Sequence, residues 1–126
     1  MGMYTEFHFN SELKKDTPLE VVETLIYMTV GEGTVHIFDH PLFKTDRWRV
    51  MLRMDSYYFD AETHSTIRFN DICDAYILCI RCNLKNYCSE IEHFIDWIKP
   101  YLYKGPGEFL GFYRYEGTEV PTLIYT

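Results

Sequence analysis

Four cysteines are the most reactive side chains of the sequence, and two of them, Cys79 and Cys82, have the C-x-x-C spacing. This spacing occurs in zinc knuckles and in thiol redox sites. A zinc knuckle needs a tight turn between its thiolates, whereas the residues between Cys79 and Cys82 continue an apolar strand. A strand sends side chains three positions apart to opposite faces. A thioredoxin-type motif would also open a helix with its second half, and this one does not. The pattern therefore predicts reduced thiols, with no metal and no cofactor.

Two histidines, His36 and His40, are four residues apart, which is the spacing that puts two metal ligands on one face of a helix. The segment HIFDH lacks a helical period, however, and carries no glutamate of the metalloprotease type. His40 also precedes a proline. These features favour loop histidines over a metal site.

Asp60, Glu62 and His64 alternate at the tip of a predicted hairpin. Three such side chains could converge on a divalent ion or act as acid and base, as in a small metal-dependent hydrolase. Alternating polar residues at a hairpin tip are also typical of a solvated turn. The common nucleotide and hydrolase signatures, G-x-x-x-x-G-K-[ST], G-x-G-x-x-G after a strand and G-x-S-x-G, are absent from the sequence. We therefore predict that the protein is not an enzyme.

The segment 44–53, called the basic turn below, concentrates positive charge beside an indole ring at Trp48. Its basic residues are four of the chain's 12: Lys44, Arg47, Arg49 and Arg53. Such a patch could bind a phosphate, a nucleotide or an acidic protein surface. The alternative is an amphipathic turn in which Trp48, Met51 and Leu52 pack inward while the arginines pair with nearby acids. The sequence leaves both interpretations open.

The first half of the chain should supply one strand, one helix and a covering loop. Side chains alternate in polarity from Met3 to Asn10, which predicts a strand with one buried face. Thr17, Pro18 and Glu20 have the arrangement of a capping box with proline at the first helical position, and Gly31 should end the helix that follows. Residues 34–46 have no sustained period, and we expect a loop that lies over the core through Ile37, Phe38, Leu42 and Phe43.

The middle of the chain should form a hairpin and then the central strand. Tyr57 to Asp60 and Thr66 to Asn70 have the composition of two strands joined by Ala61 to Ser65, with Ile67 and Phe69 pointing inward. The run DAYILCIRCNL is apolar on both faces at its start, which indicates an interior strand. A second capping box, at Ser89 and Glu92, predicts a helix with a buried stripe of five residues: Ile91, Phe94, Ile95, Ile98 and Leu102.

The last two predicted strands, Phe109 to Tyr115 and Glu119 to Tyr125, form a second hairpin, and Pro121 indicates that the final strand lies at a sheet edge. The predicted fold is thus one α+β domain over residues 1–126 in the order β-α-β-β-β-α-β-β. Two helices cover one face of a mostly antiparallel sheet. The other face would be open, and Tyr4, Tyr113, Tyr115 or Tyr125 could line it.

Composition limits the classes of partner. A formal net charge of −7 argues against general affinity for nucleic acids, whose phosphates would be repelled. No run approaches the ~18 to 20 apolar residues that cross a bilayer, and the opening residues lack the basic and apolar regions of a signal peptide, so we expect a cytoplasmic protein. The chain has 11 Tyr and 9 Phe, more rings than a core of this size absorbs, so some should be exposed for contact with a partner.

Three parts of the sequence resemble small proteins encoded by bacterial phages and prophages. They are the opening MGMYTEFHFNSELKKDTPLEVVETL, the middle HPLFKTDRWRVMLRMDSYYFD, and the pair NLKNYCSEIEHFIDWIKPYL with GFYRYEGTEVPTLIY. The resemblance brings no catalytic residues with it. It implies an accessory protein that acts in the cytoplasm of a bacterial host, where such proteins often inhibit host enzymes or immune systems by direct binding and some sequester nucleotide signals.

Three functions follow from these observations. The first is a non-enzymatic protein that binds and inhibits a host protein, for example a component of an anti-phage defence system, through exposed tyrosines such as Tyr113 and Tyr115. The second is a nucleotide or small-molecule binder that uses Arg47, Trp48, Arg49 and Arg53. The third is the metal-dependent hydrolase at the hairpin tip. An uncovered aromatic sheet face would also suit a homodimer.

Overall fold

A computed structural model of the chain describes residues 3–57, 59–60 and 62–126. Within them the regular elements are β1 (Thr5–Glu12), α1 (Leu19–Val30), β2 (Thr66–Asn70), β3 (Ala75–Leu84), α2 (Glu90–Ile98), β4 (Phe109–Tyr115) and β5 (Thr122–Tyr125). Short 3₁₀ turns occupy Pro41–Lys44, Met51–Arg53 and Lys99–Tyr101. None of the helices in these ranges is long and apolar enough to cross a bilayer.

The five strands form one sheet in the order β2-β3-β1-β4-β5, and all neighbouring pairs are antiparallel. The predicted α+β class is confirmed. The interior position expected for β3 is confirmed as well, since it pairs with β2 on one side and β1 on the other. The last strand, β5, lies at a sheet edge, as Pro121 indicated.

Within the described residues, the first strand of the predicted hairpin of residues 57–70 does not form, whereas the second, Thr66–Asn70, does. The described residues 57, 59 and 60 form bends, while Tyr58 and Ala61 lie outside the described residues. The partner of β2 is β3, because the Asn70 carboxamide accepts hydrogen bonds from the amides of Ile72 and Cys73 and closes a tight turn between these two strands. Met54 and His64 instead lie beside the far end of β3, where the Asn83 amide donates to the Met54 carbonyl at 3.1 Å and the His64 amide donates to the Arg81 carbonyl at 2.7 Å.

Neither predicted capping box forms. The Thr17 hydroxyl donates to the Lys14 carbonyl at 2.6 Å, so α1 begins without a side-chain cap. Ser89 has a left-handed backbone with φ 56°, which removes its hydroxyl from the capping position. The carboxamide of Asn86 takes over that role and accepts from the Ile91 amide at 2.8 Å. The predicted end of α1 at Gly31, in the left-handed conformation with φ 91°, is confirmed.

The core lies between the sheet and the helices. Phe7 and Phe9 on β1 are fully buried, and both rings meet the edge of Phe94 on α2 at centroid distances of 6.0 and 6.1 Å. The five residues of the predicted stripe on the second helix and its extension are all buried, as expected. Their burial is the main favourable contribution to joining α2 to the sheet.

The covering loop of residues 34–46 is confirmed in three of its four predicted contacts. Leu42 and Phe43 are buried, and Phe38 packs between Phe43 and Trp97 at ring distances of 5.2 and 5.4 Å. Ile37 is 67% exposed, so the prediction for this residue is wrong. The prediction that Phe69 points into the core is also wrong, since this ring lies at the β2 edge and is 47% exposed.

Candidate functional site

The C-x-x-C pair does not form a site. Cys82 lies opposite Phe7 on the buried side of the sheet, whereas Cys79 lies opposite Asn10 on the other side. Complete burial raises the pKa of the Cys82 thiol well above its ordinary value, which suppresses the reactive thiolate. All four cysteines are free, and Cys88 is the exposed one.

The two histidines of HIFDH contact different carboxylates. His36 Nε2 lies 2.9 Å from Glu23 Oε1, and His40 Nε2 lies 2.9 Å from Asp96 Oδ2. The Nδ1 atom of His40 accepts from the Leu42 amide, which fixes the ring at the start of a 3₁₀ turn. The pair therefore anchors the covering loop to α1 and α2.

The residues of the proposed hydrolase, Asp60, Glu62 and His64, are exposed. In the described ranges, no group of three or more His, Cys, Asp or Glu residues is placed to hold a metal ion. The Arg81 guanidinium donates to the Glu62 carbonyl at 2.8 Å, so the segment is held to β3 through its backbone. Hydrolysis at this segment stays a prediction.

Three apolar residues of the basic turn face the core. Trp48 is 3% exposed, and its ring meets Phe43 at 4.6 Å and Tyr27 at 6.0 Å. Met51 and Leu52 are fully buried. The inward-packing interpretation of these residues is confirmed.

Two of the three arginines of the basic turn contact α1, and the third contacts α2. The Arg53 guanidinium donates to the carbonyls of Met28 at 3.3 Å and Arg49 at 3.2 Å. Arg49 lies over the Trp48 ring at 5.0 Å and reaches the Tyr27 hydroxyl at 3.4 Å. Nucleotide binding through this turn stays a prediction, and two of its three guanidinium groups already bind protein oxygens.

Arg47 is directed toward α2. Its Nη1 atom lies 4.0 Å from Oε2 of the fully buried Glu90, and its guanidinium carbon lies 5.5 Å from the Tyr87 ring centroid. Glu90 Oε1 accepts from the Cys88 amide at 3.0 Å. Arg47 thus partly compensates a buried carboxylate at the start of α2.

A groove of about 270 Å³ opens at the end of the sheet nearest the start of α2. We call it the tyrosine groove, because Tyr87, Tyr113 and Tyr115 line it together with the Glu92 carboxylate. Its walls come from the start of β1, the turn before α2, and the β4–β5 hairpin. The register explains the meeting of these elements, since Tyr113 pairs with Phe7 and Tyr115 with Thr5.

Strand register also corrects the expected position of two tyrosines. Tyr113 and Tyr115 share a side with Phe7, the side that the helices cover, so they do not line the open face. Both nevertheless line the groove, and Tyr115 is 41% exposed. Arg114, between them, points to the opposite face, where it binds the Glu6 carboxylate at 2.6 Å.

Hydrogen bonds hold the walls of the groove in place. The Tyr87 hydroxyl accepts from the Met3 amide at 3.1 Å, and Asn86 Nδ2 donates to Glu92 Oε1 at 2.8 Å. Burial raises the pKa of Tyr113, the negative charge of Glu92 raises it further, and a hydrogen bond with Thr122 opposes both effects. The groove therefore combines phenol rings with one carboxylate.

A second exposed surface lies along β5 and is called the β5 edge surface. Its large apolar side chains are 47–75% exposed: Phe109, Val120, Leu123 and Tyr125. The rings of Phe109 and Tyr125 meet edge to face at 5.6 Å. Within the described residues β5 pairs with β4 alone, so its outer backbone edge is free.

Of the six predicted binding residues, two for a protein partner and four for a nucleotide or small molecule, the structure brings Tyr113 and Tyr115 into one groove. Trp48, Arg49 and Arg53 lie elsewhere, and Arg47 reaches the groove only through Tyr87. Tyr87 and Glu92 were missed in the sequence. The sequence places Tyr87 in the turn before the second helix and Glu92 in the first turn of that helix. It does not show that the start of this helix lies close to β4.

Comparisons with known proteins identify no relative of this chain. No family model matches the chain. No curated protein and no solved structure matches it either. In the described part of the chain, the fold and surfaces define an α+β domain with an aromatic groove beside a sheet edge that no other strand pairs with.

Proposed function

We propose that this chain is a non-enzymatic protein-binding domain that acts as a phage accessory protein and inhibits a host protein, for example a component of an anti-phage defence system. The resemblance to phage and prophage proteins supplies this setting and the cytoplasmic location. The observation that carries protein binding is the β5 edge surface, where large apolar side chains flank an unpaired strand edge.

Sheet edges of this kind usually carry a device against unwanted pairing. Charged side chains, especially lysine, are a common one. None of the residues of β5, TLIY, is charged, and only Pro121 before it blunts the edge. An extended segment of a partner can therefore pair with β5 while its apolar side chains cover Leu123 and Tyr125.

The net charge of −7 favours a partner whose surface around the bound segment is basic. A basic partner surface would be attracted over the distances at which salt screens weakly, and an acidic one would be repelled. We therefore expect a partner with an exposed strand and a basic surrounding surface, and association that slows as salt concentration rises.

The test compares three forms of the protein in pull-downs from host lysate at low and moderate salt. Leu123→Lys places a charge on the β5 edge surface. Ile72→Lys makes the same kind of change at a residue that is 97% exposed in the turn between β2 and β3, and it serves as the matched control. We expect the wild type and Ile72→Lys to retain the same specific partner and Leu123→Lys to lose it.

Two results would contradict the proposal. One is the absence of any specific partner at both salt concentrations. The other is a partner that Leu123→Lys retains as well as Ile72→Lys does. Sedimentation of the pure protein tests the expected homodimer, because a dimer that Leu123→Lys dissociates would make a second copy the occupant of this edge.

A further inference from the structure

We propose that the tyrosine groove is a binding site for the cationic end of a lysine or arginine side chain from the protein partner. The source of the cation rests on the proposed function, whereas the chemistry of the site rests on the groove alone. The groove joins phenol rings, an accessible carboxylate and a volume suited to one side chain.

The aromatic walls supply the first part of the recognition. Cations are attracted to the faces of tyrosine rings within about 6 Å of the centroid. Two tyrosines near this end of the sheet already make such contacts inside the protein, with Arg47 5.5 Å from Tyr87 and Lys85 5.7 Å from Tyr4. Tyr113 and Tyr115 line the groove and leave room there for a cation from outside.

The Glu92 carboxylate supplies the second part. It is exposed, and in the part of the chain that the structure describes it forms no salt bridge. Its charge reaches the Tyr113 hydroxyl strongly enough to raise the pKa of that group. Arg114 is the basic residue of the groove lining, and its guanidinium is bound by Glu6 on the opposite face of the sheet. The field in the groove therefore favours a cation.

Size selects the kind of occupant. Pockets that enclose a whole drug-sized ligand measure about 300–1,000 Å³. The groove, at about 270 Å³, is smaller and open to solvent at the sheet end, which suits the end of one long side chain. Its position beside β5 lets one partner occupy the groove and the β5 edge surface together.

The test is a titration of the isotope-labelled protein, followed by NMR, with the peptide Ac-Gly-Gly-Lys-Gly-Gly-NH₂, its arginine counterpart, its norleucine counterpart and free butylammonium. We expect saturable shifts of groove signals with the lysine and arginine peptides and none with norleucine, which has a similar length without the charge. Glu92→Gln should weaken binding about fivefold, in line with an exposed ion pair.

Two control variants separate the groove from the overall charge and aromatic content. Glu119→Gln removes the same charge from an exposed residue that does not line the groove, and it should leave the affinity unchanged. Tyr115→Leu should weaken binding, whereas Tyr103→Leu, at an exposed ring outside the groove, should not.

Two results would overturn the inference: equal binding of the norleucine and lysine peptides, or equal loss of affinity in Glu92→Gln and Glu119→Gln. Saturable shifts of the same groove signals with butylammonium would support it, because this amine is the end of a lysine side chain. The lysate experiment distinguishes this inference from the proposed function. Partner capture that depends on Leu123 and is unaffected by Glu92→Gln would contradict the inference alone. Peptide binding without any captured partner would contradict the proposed function alone.

Discussion

The basic turn and the tyrosine groove each place charged side chains beside aromatic rings. The charged groups are arginines in the basic turn and the Glu92 carboxylate in the groove, and the two regions differ in which of these side chains the fold leaves accessible. In the basic turn the Trp48 ring is buried and Arg53 donates to backbone carbonyls. In the groove Tyr113 and Tyr115 remain partly accessible, and Glu92 is exposed. A cluster of charged and aromatic residues is therefore a candidate site only where the protein leaves its atoms accessible.

The position of each region explains this difference. The basic turn follows a long loop and lies against the end of α1, where helix carbonyls lack partners within the helix. Arg53 supplies donors there, and its guanidinium lies 3.0 Å from the position that a Cβ atom would take on Gly31. The groove lies between the start of β1, the turn before α2 and the β4–β5 hairpin, where Tyr113 and Tyr115 stay partly accessible.

The largest effect that separates the two regions is expected from Trp48→Ala. The indole ring is buried against Phe43 and Tyr27, and its removal leaves a cavity that should cost ~3 to 5 kcal/mol of the free energy of unfolding. Urea unfolding monitored by circular dichroism measures this. Tyr57→Ala, at a ring that is 96% exposed, is the control and should change stability by less than about 0.5 kcal/mol. Equal stability of the two variants would show that the basic turn is not part of the core.

The second largest loss of stability is expected at Gly111 on β4, the strand that pairs with β5. A Cβ atom on Gly111 would overlap the His8 carbonyl oxygen on β1, so Gly111→Ala must separate β1 from β4. Strain of this kind costs ~1 to 3 kcal/mol or more. Leu123→Lys changes an exposed side chain on the neighbouring strand and should stay within about 0.5 kcal/mol of the wild type. Thermal unfolding of both variants tests this, and a wild-type melting temperature for Gly111→Ala would contradict the close approach of the strands.

A smaller loss is expected from Arg53→Ala. The variant removes two hydrogen bonds of 3.2 and 3.3 Å to backbone carbonyls, and since the side chain is largely exposed the cost should be about 1 kcal/mol. Arg68→Ala, at an exposed arginine on β2, is the matched control with the same loss of charge. Hydrogen exchange of the last turn of α1 is the sharper measurement. Exchange that Arg53→Ala leaves unchanged there would contradict its role at the helix end.

Local sequence patterns predicted most of the elements, because alternation and helical periodicity reflect which side chains each element buries. They did not predict that Asn86 would replace Ser89 as the cap of α2, since this depends on the path of the preceding turn. They also did not predict the side on which Tyr113 lies. That side depends on pairing β4 with β1 across a hundred residues and on an irregularity between Phe109 and Gly111.

The smallest effect tests the field inside the groove. Burial and the charge of Glu92 both favour the neutral phenol of Tyr113, so its pKa lies above the ordinary value of 10.0. A group whose pKa is raised by folding stabilises the protein below its unfolded pKa, and that contribution is lost as pH rises through the folded pKa. Stability should therefore fall above pH ~10, within the range where tyrosines ionise.

Glu92→Gln removes the negative charge that raises the pKa of Tyr113 and leaves the effect of burial on that pKa. The pKa of Tyr113 should then fall but stay above 10.0, while Glu119→Gln should leave it nearly unchanged. Titration of ¹³Cζ-labelled tyrosine by NMR measures it, with Tyr113→Phe identifying the signal. If both variants lowered the pKa equally, the general charge of the protein, and not Glu92, would set the potential in the groove. The groove would then differ from the basic turn in accessibility alone, without a carboxylate that selects a cation.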